Sequence, residues 1–189
     1  MKSVLATNNA KSLKLYHEMQ KEDICESEFD NYLQSGKFVG LSKVEELVII
    51  HNQGQKMFGN LHLPGEGAPC VLLSHGLESS KDGNKWLMLS PRLYEAGFAS
   101  LRFSYRGCGE GDEKSEGKFE DSTLTARISD YKAVIDFLHQ VKVNLARLGV
   151  IGSSLGGMVA LAAGDERIKA IVTLATPLSL LPSTKLGLT

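Results

Sequence analysis

The chain has almost no surplus of charge of either sign: 21 Lys and Arg stand against 22 Asp and Glu, a formal net charge of −1 over 189 residues. A binder of nucleic-acid backbone needs excess cations to displace condensed counterions, so that partner class is excluded. Long apolar runs are missing too. The longest, Ala170 to Leu181, is interrupted by Thr173, Thr176, Pro177 and Ser179, which falls short of the ~20 apolar residues of a membrane-spanning helix. The opening Met-Lys-Ser-Val-Leu-Ala has too short an apolar run for the core of a secretory leader. Cysteine is scarce. Cys25, Cys70 and Cys108 are odd in number and widely spaced, so reduced thiols and a cytoplasmic setting are expected. No His/Cys/Asp/Glu group has metal-ligand spacing, so neither a metal nor a cofactor is implied. Internal repeats and low-complexity tracts are absent.

What is present reads as one globular domain, with 42% hydrophobic and 23% charged residues. Residues 1–40 stand apart as a helical or flexible appendage. Six acids from Glu18 to Asp30 surround one base, and Leu13, Tyr16, Met19, Phe29 and Leu33 give only a loose helical periodicity. Gly36 and Gly40 suggest a boundary, with residues 41–189 forming the domain proper. There the pattern becomes rhythmic. Strands are expected at 44–50 and 57–63 around the turn signal Asn52-Gln53-Gly54, then at 70–73, 98–103, 148–151 and 168–174. The runs at 70–73 and 148–151 are continuously apolar, as in strands buried on both faces. Helices are expected over 84–96, 123–141 and 154–163. The middle one carries the stripe Leu124, Ile128, Tyr131, Ile135 and Leu138 after cap candidates at Asp121-Ser122-Thr123. Alternation of this kind predicts an α/β fold, a mostly parallel sheet with helices on both faces. Right-handed crossovers would then gather the strand-to-helix loops at one end of the sheet.

The chemistry concentrates in Gly152-Ser153-Ser154-Leu155-Gly156-Gly157, a G-x-S-x-G directly after a buried strand and before a helix. Such a tight turn would expose the Ser154 hydroxyl at the sheet edge, with Gly152 and Gly156 removing the Cβ atoms that would clash. The Leu155 amide, opening the helix, would face a developing oxyanion. Ser153 is not central between the glycines, which leaves Ser154 as the nucleophile candidate. A dinucleotide-binding turn is the rival reading. It fails because the spacing is not G-x-G-x-x-G and no acid lies about 20 residues on. At the end of the third strand, Ser74-His75-Gly76-Leu77 suits the loop that supplies the second oxyanion donor, the Leu77 amide. His75 and Gly76 read as loop support, with His75 a hydrogen-bonded turn residue. The acidic segment Gly109–Gly117 reads as a solvated loop, because Lys114 occupies a position that a calcium loop needs for a ligand. Cys108 has no activating group near it in sequence and reads as a small packed side chain.

The ordered set His75-Gly76, Tyr105-Arg106-Gly107-Cys108-Gly109 and Gly152–Gly157 resembles the alpha/beta-hydrolase superfamily over residues 43–176, most closely its esterase, lipase and serine-aminopeptidase-like branch. Ser104 stands where many relatives carry Asp or Asn. The resemblance implies hydrolysis of a small-molecule ester, amide or peptide through an acyl-enzyme on Ser154. It also implies an acid and then a histidine after the serine. Only Asp165 and Glu166 follow as acids, both expected at the far end of the sheet, and no histidine follows His139. The fold is therefore expected to be incomplete, lacking its last strands and helices, and the isolated chain to be inactive. Its exposed sheet edge would favour self-association or a complementing C-terminal fragment. The alternative is a non-catalytic binding protein on the same fold.

Overall fold

A computed structural model describes residues 45–177; the appendage expected at 1–40 lies outside them. The elements follow in the order β1 (Glu45–Asn52), β2 (Gln55–His62), β3 (Ala68–Ser74), α1 (Asn84–Glu95), β4 (Ala99–Phe103), α2 (Leu124–Phe137), β5 (Val143–Ser153), α3 (Leu155–Ala163) and β6 (Ile168–Leu174). The six strands form one sheet in the order β1-β2-β4-β3-β5-β6. β1 and β2 form an antiparallel hairpin, and β2 is also antiparallel to β4. β4, β3, β5 and β6 run parallel to one another.

Local chemistry accounts for most boundaries. Gln53 and Gly54 both have positive φ, 50° and 78°, the two-residue turn whose twist matches a hairpin. Thr123 caps α2, its Oγ1 accepting from the Ala126 amide at 3.2 Å. Gly97, at φ 81°, releases the chain from α1. The stripe on α2 turns inward, with Tyr131, Ile135 and Leu138 fully buried. α2 stops at Phe137 and a short 3-10 turn covers Leu138–Gln140, so the helix is shorter than the expected 123–141. β5 correspondingly starts at Val143, five residues before the apolar run at 148. Its register on β3 shifts between Pro69 and Cys70, where the early residues would otherwise run out of step.

Two further expectations change. The acid-rich loop after β4 is tied down: Glu113 pairs with the buried Lys81 at 2.5 Å, and Glu116 accepts from the Lys56 amide at 2.7 Å. Nor are β3 and β5 buried on both faces. Val71 and Ile151 remain half-buried, because among the described residues no element closes the apolar groove of about 380 Å³ that they share with Pro69, Phe98 and Val172. The edge strand β6 is exposed on both faces, with Ile171, Val172 and Leu174 in the open.

The winding positions the site. From β3 the chain crosses to β4 on one side, whereas from β4 and β5 it crosses in the other direction. Right-handed crossovers therefore place α1 on one face and α2 with α3 on the other. The loops leaving the C-terminal ends of β3 and β5 diverge between these neighbouring strands. That is the switch point at which open α/β sheets bind ligands.

Asp130 on α2 ties this arrangement together. It is buried and accepts from Arg106 Nε at 2.5 Å, the Arg106 amide at 3.1 Å and Asn52 Nδ2 at 2.8 Å. One carboxylate thus joins α2 to the hairpin tip and to the loop after β4. Asp130→Ala is expected to lower stability by about 3 kcal/mol in chemical denaturation, because it strands the Arg106 charge. A loss within 0.5 kcal/mol would refute the hub.

Candidate active site

Ser154 occupies a backbone position that side chains rarely adopt, φ 52° and ψ −123°. The turn persists because its surroundings over-determine it. The Ser154 amide donates to the Leu174 carbonyl of β6 at 2.8 Å, and the Ser154 carbonyl accepts from the Gly157 amide at 3.0 Å. Neighbouring backbone comes so close that glycine is required on both sides. A Cβ on Gly156 would fall on the carbonyl oxygens of Ser74 and His75, and one on Gly152 would meet the Gly156–Gly157 backbone.

The loop after β3 lies directly against this turn. A Cβ at Gly76 would sit 3.3 Å from Ser154 Cβ. Ser74 Oγ donates to the Gly156 carbonyl at 3.0 Å and shares a 2.6 Å hydrogen bond with the Tyr105 hydroxyl. Ser154 is half-buried, and among the described residues no side chain hydrogen-bonds its Oγ. The Leu77 and Leu155 amides also lack a protein acceptor among the described residues. The loops carrying Leu77 and Ser154 therefore lie side by side at the C-terminal ends of β3 and β5. Ser153 is placed differently: its Oγ accepts from Lys85 Nζ of α1 at 2.7 Å.

His75 is fully buried with both ring nitrogens engaged. Nε2 accepts from the Tyr105 amide at 3.1 Å, which leaves the proton on Nδ1, donated to the Gly76 carbonyl at 2.7 Å. Burial, helped by the nearby Arg127 charge, lowers its pKa to about 3. The ring is a neutral strut with no lone pair free to act as a base. Cys108 is buried beside the Arg127 guanidinium, 3.4 Å from Nη2. That cationic neighbour is remote in sequence. Desolvation nonetheless outweighs it and raises the thiol pKa, so a thiolate is disfavoured. Ser104 is buried and accepts from the Lys81 amide at 3.0 Å. Its hydroxyl thereby ties the end of β4 to the segment that precedes α1.

Asp165 and His139 lie at the opposite end of the sheet. Asp165 pairs with Arg167 at 2.6 Å, and that pairing lowers its pKa. Arg167 also contacts Asp136 at 2.6 Å and His139 at 3.4 Å. Parallel pairing of β6 on β5 puts this cluster beside the strands' N-terminal ends, a full strand length from Ser154. Among the described residues no His/Cys/Asp/Glu group could hold a metal ion, and no helix is long and apolar enough to cross a membrane.

The sequence reading did not single out Arg127. It is buried on α2, and its Nη1 and Nη2 donate to the carbonyls of Gly76 and Leu77 at 3.1 and 3.0 Å. An arginine three residues before Asp130, hence on the same face, inside a helix otherwise patterned for burial was the available signal.

A doubly wound α/β sheet with a strained serine turn at its switch point defines the class of protein to which this molecule conforms. The chain belongs to the alpha/beta hydrolase fold family, whose profile matches residues 69–189. It is 34% identical over 109 residues to an uncharacterized 31.7 kDa protein of the traX-finO intergenic region in Escherichia coli, covering 56% of this chain and 36% of that protein. It is 32% identical over 112 residues to the mitochondrial palmitoyl-protein thioesterase ABHD10 of Homo sapiens, covering 58% and 34%. Among solved structures it resembles Est1E from Butyrivibrio proteoclasticus with ferulic acid bound, at 28% identity and TM-score 0.58 over 66% of this chain and 50% of that one. The Pyrococcus furiosus esterase Pf2001 matches at 27% identity and TM-score 0.57, covering 67% and 50%. The chain thus spans about a third of the length of the curated relatives it matches.

Two outcomes test this geometry. Gly156→Ala is expected to cost about 3 kcal/mol or more in denaturant unfolding, because the methyl meets backbone that cannot yield; a near-neutral result would contradict the close approach. His75, held neutral in the fold, takes up a proton more readily when unfolded. Its contribution to stability is complete above pH ~6.5 and drains as pH falls toward about 3. The His75 ring resonances should stay in the neutral pattern from pH 8 to 5, and a midpoint inside that range would refute the assignment.

Proposed function

We propose that the chain carries the nucleophile and both oxyanion donors of a serine hydrolase acting on carboxylic esters, with amides or peptides as related substrates. The observation that supports this most directly is the place of Ser154, at φ 52° and against Gly76, with its hydroxyl and the Leu77 and Leu155 amides without a protein partner among the described residues. In this reading Ser154 Oγ attacks the acyl carbonyl, its proton passes to a base, and the carbonyl oxygen takes the negative charge. Amides fixed before the reaction begins stabilise that charge without reorganisation. Collapse of the intermediate expels the alcohol, thiol or amine and leaves an acyl group on Ser154, which water then removes. His75, Gly76, Gly152 and Gly156 hold the two loops in this arrangement. The esterase and thioesterase names among the matched proteins support acyl transfer as the reaction class.

The base is the unfilled role. Among the described residues no carboxylate or imidazole reaches Ser154, and Asp165 and His139 face the other way. A serine without a base is a weak nucleophile, and an oxyanion hole alone leaves roughly 10³-fold catalysis over water. In our reading the acid and histidine come from a complementing segment paired on the exposed edge of β6. The 189-residue chain by itself should therefore hydrolyse p-nitrophenyl acetate no faster than Ser154→Ala. A serine-dependent burst would show that a base is already present. Absence of Ser154 labelling by a fluorophosphonate under every condition, including added cell extract, would favour the non-catalytic binding reading instead.

A further inference from the structure

We propose that Arg127 is a positioning residue that locks the Leu77 amide toward Ser154; this rests on the reading of that amide as an oxyanion donor. The argument begins with Gly76. Its α-carbon lies so close to Ser154 that a side chain there would crowd the serine. The lack of a side chain leaves the following peptide freer to rotate than at any other residue type. A trans peptide points its C=O and N–H in opposite directions. A flip of the Gly76–Leu77 unit would therefore turn the Leu77 donor away from the site and put an electron-rich oxygen in its place.

Two donors prevent the flip. The Gly76 carbonyl accepts from His75 Nδ1 at 2.7 Å and from Arg127 Nη1 at 3.1 Å. The second arm of the same guanidinium holds the next carbonyl, Leu77, at 3.0 Å. Successive peptide planes are thus fixed from behind by one rigid fork, while the Leu77 N–H in front has no protein acceptor among the described residues. The fork is itself immobilised. Arg127 Nε donates to Ser122 Oγ at 2.9 Å, and the guanidinium lies 4.7 Å from the centre of the Tyr105 ring. Arginine suits the task because its donors are planar and permanently charged, and charge-assisted bonds to carbonyls resist rotation more strongly than neutral ones. The positive charge behind the peptide also polarises it, making the Leu77 N–H a better donor.

Phenylboronic acid tests this without requiring turnover. Ser154 Oγ adds to the trigonal boron, the serine proton leaves to solvent, and the resulting tetrahedral boronate places an anionic oxygen where the oxyanion would form. In the ¹⁵N-labelled chain, adduct formation should shift the amide resonances of both Leu77 and Leu155. Arg127→Met should weaken boronate binding at least ~10-fold, in line with the loss of one oxyanion donor. In that variant the Leu155 resonance should still respond while that of Leu77 does not, a selectivity that general destabilisation would not produce. Arg127→Lys, which keeps the charge but reaches one carbonyl rather than two, should fall between and serves if the Met variant does not fold. Wild-type affinity with both resonances shifting in a folded Arg127 variant would overturn the inference and leave Ser154 standing. A wild-type adduct that shifts Leu155 but not Leu77 would overturn it as well. Boronate binding that survives Ser154→Ala, or no wild-type adduct at all, would remove the serine reading and this inference together.

Discussion

Everything at the active end of the sheet depends on how closely β3 and β5 bring their exit loops together. The Gly156 α-carbon rests on the carbonyls of Ser74 and His75, and Gly76 rests on Ser154. The first contact leaves no room for a methyl group, and the second would crowd one at 3.3 Å. The strained conformation of Ser154 costs of order 1–3 kcal/mol by itself. Backbone bonds from Leu174 and Gly157, together with the parallel register of the flanking strands, offset that cost. The strained serine turn is thus held by packing that favours glycine around it.

Helix α2 fixes the loops that the strands leave undetermined. Arg127 and Asp130 are three residues apart, hence on one helix face. Arg127 reaches the loop after β3, and Asp130 reaches the loop after β4 through Arg106. Each is a buried charge with nearly every bonding position filled, the condition under which such groups hold one arrangement in preference to others. Arg102 behaves similarly on the other side, joining Glu45 of β1 to Asp82 and to the Lys81 carbonyl. Polar clamps between loops and secondary structure, more than apolar packing, define the shape of the site.

The sequence carried the element order well, because short apolar runs bounded by turn residues marked the strands and the 3.6-residue stripe marked α2. It also located the serine turn, since a strand, a G-x-S-x-G and a helix are contiguous. Boundaries where two signals compete were less legible. The α2-to-β5 passage looked helical as far as Val141 because Leu138 continues the stripe, yet the chain turns there and enters β5 through a register shift. Cys108 looked isolated because its guanidinium neighbour is 19 residues away. The acidic loop looked solvated because its partner lysine is buried 32 residues earlier.

By itself the sequence determined the local grammar: which segments are strands and helices, where glycine must stand, and that one serine sits on a tight turn. These follow from nearest-neighbour sterics and periodicity, which act over a few residues. Only the tertiary structure decided which loops meet. It placed Gly76 against Ser154 and engaged both nitrogens of His75 with backbone groups. It also set the Arg127 guanidinium on the carbonyls of Gly76 and Leu77. Such relations depend on strand order and crossover direction, which join residues 30 to about 80 positions apart and leave no periodic trace in the chain.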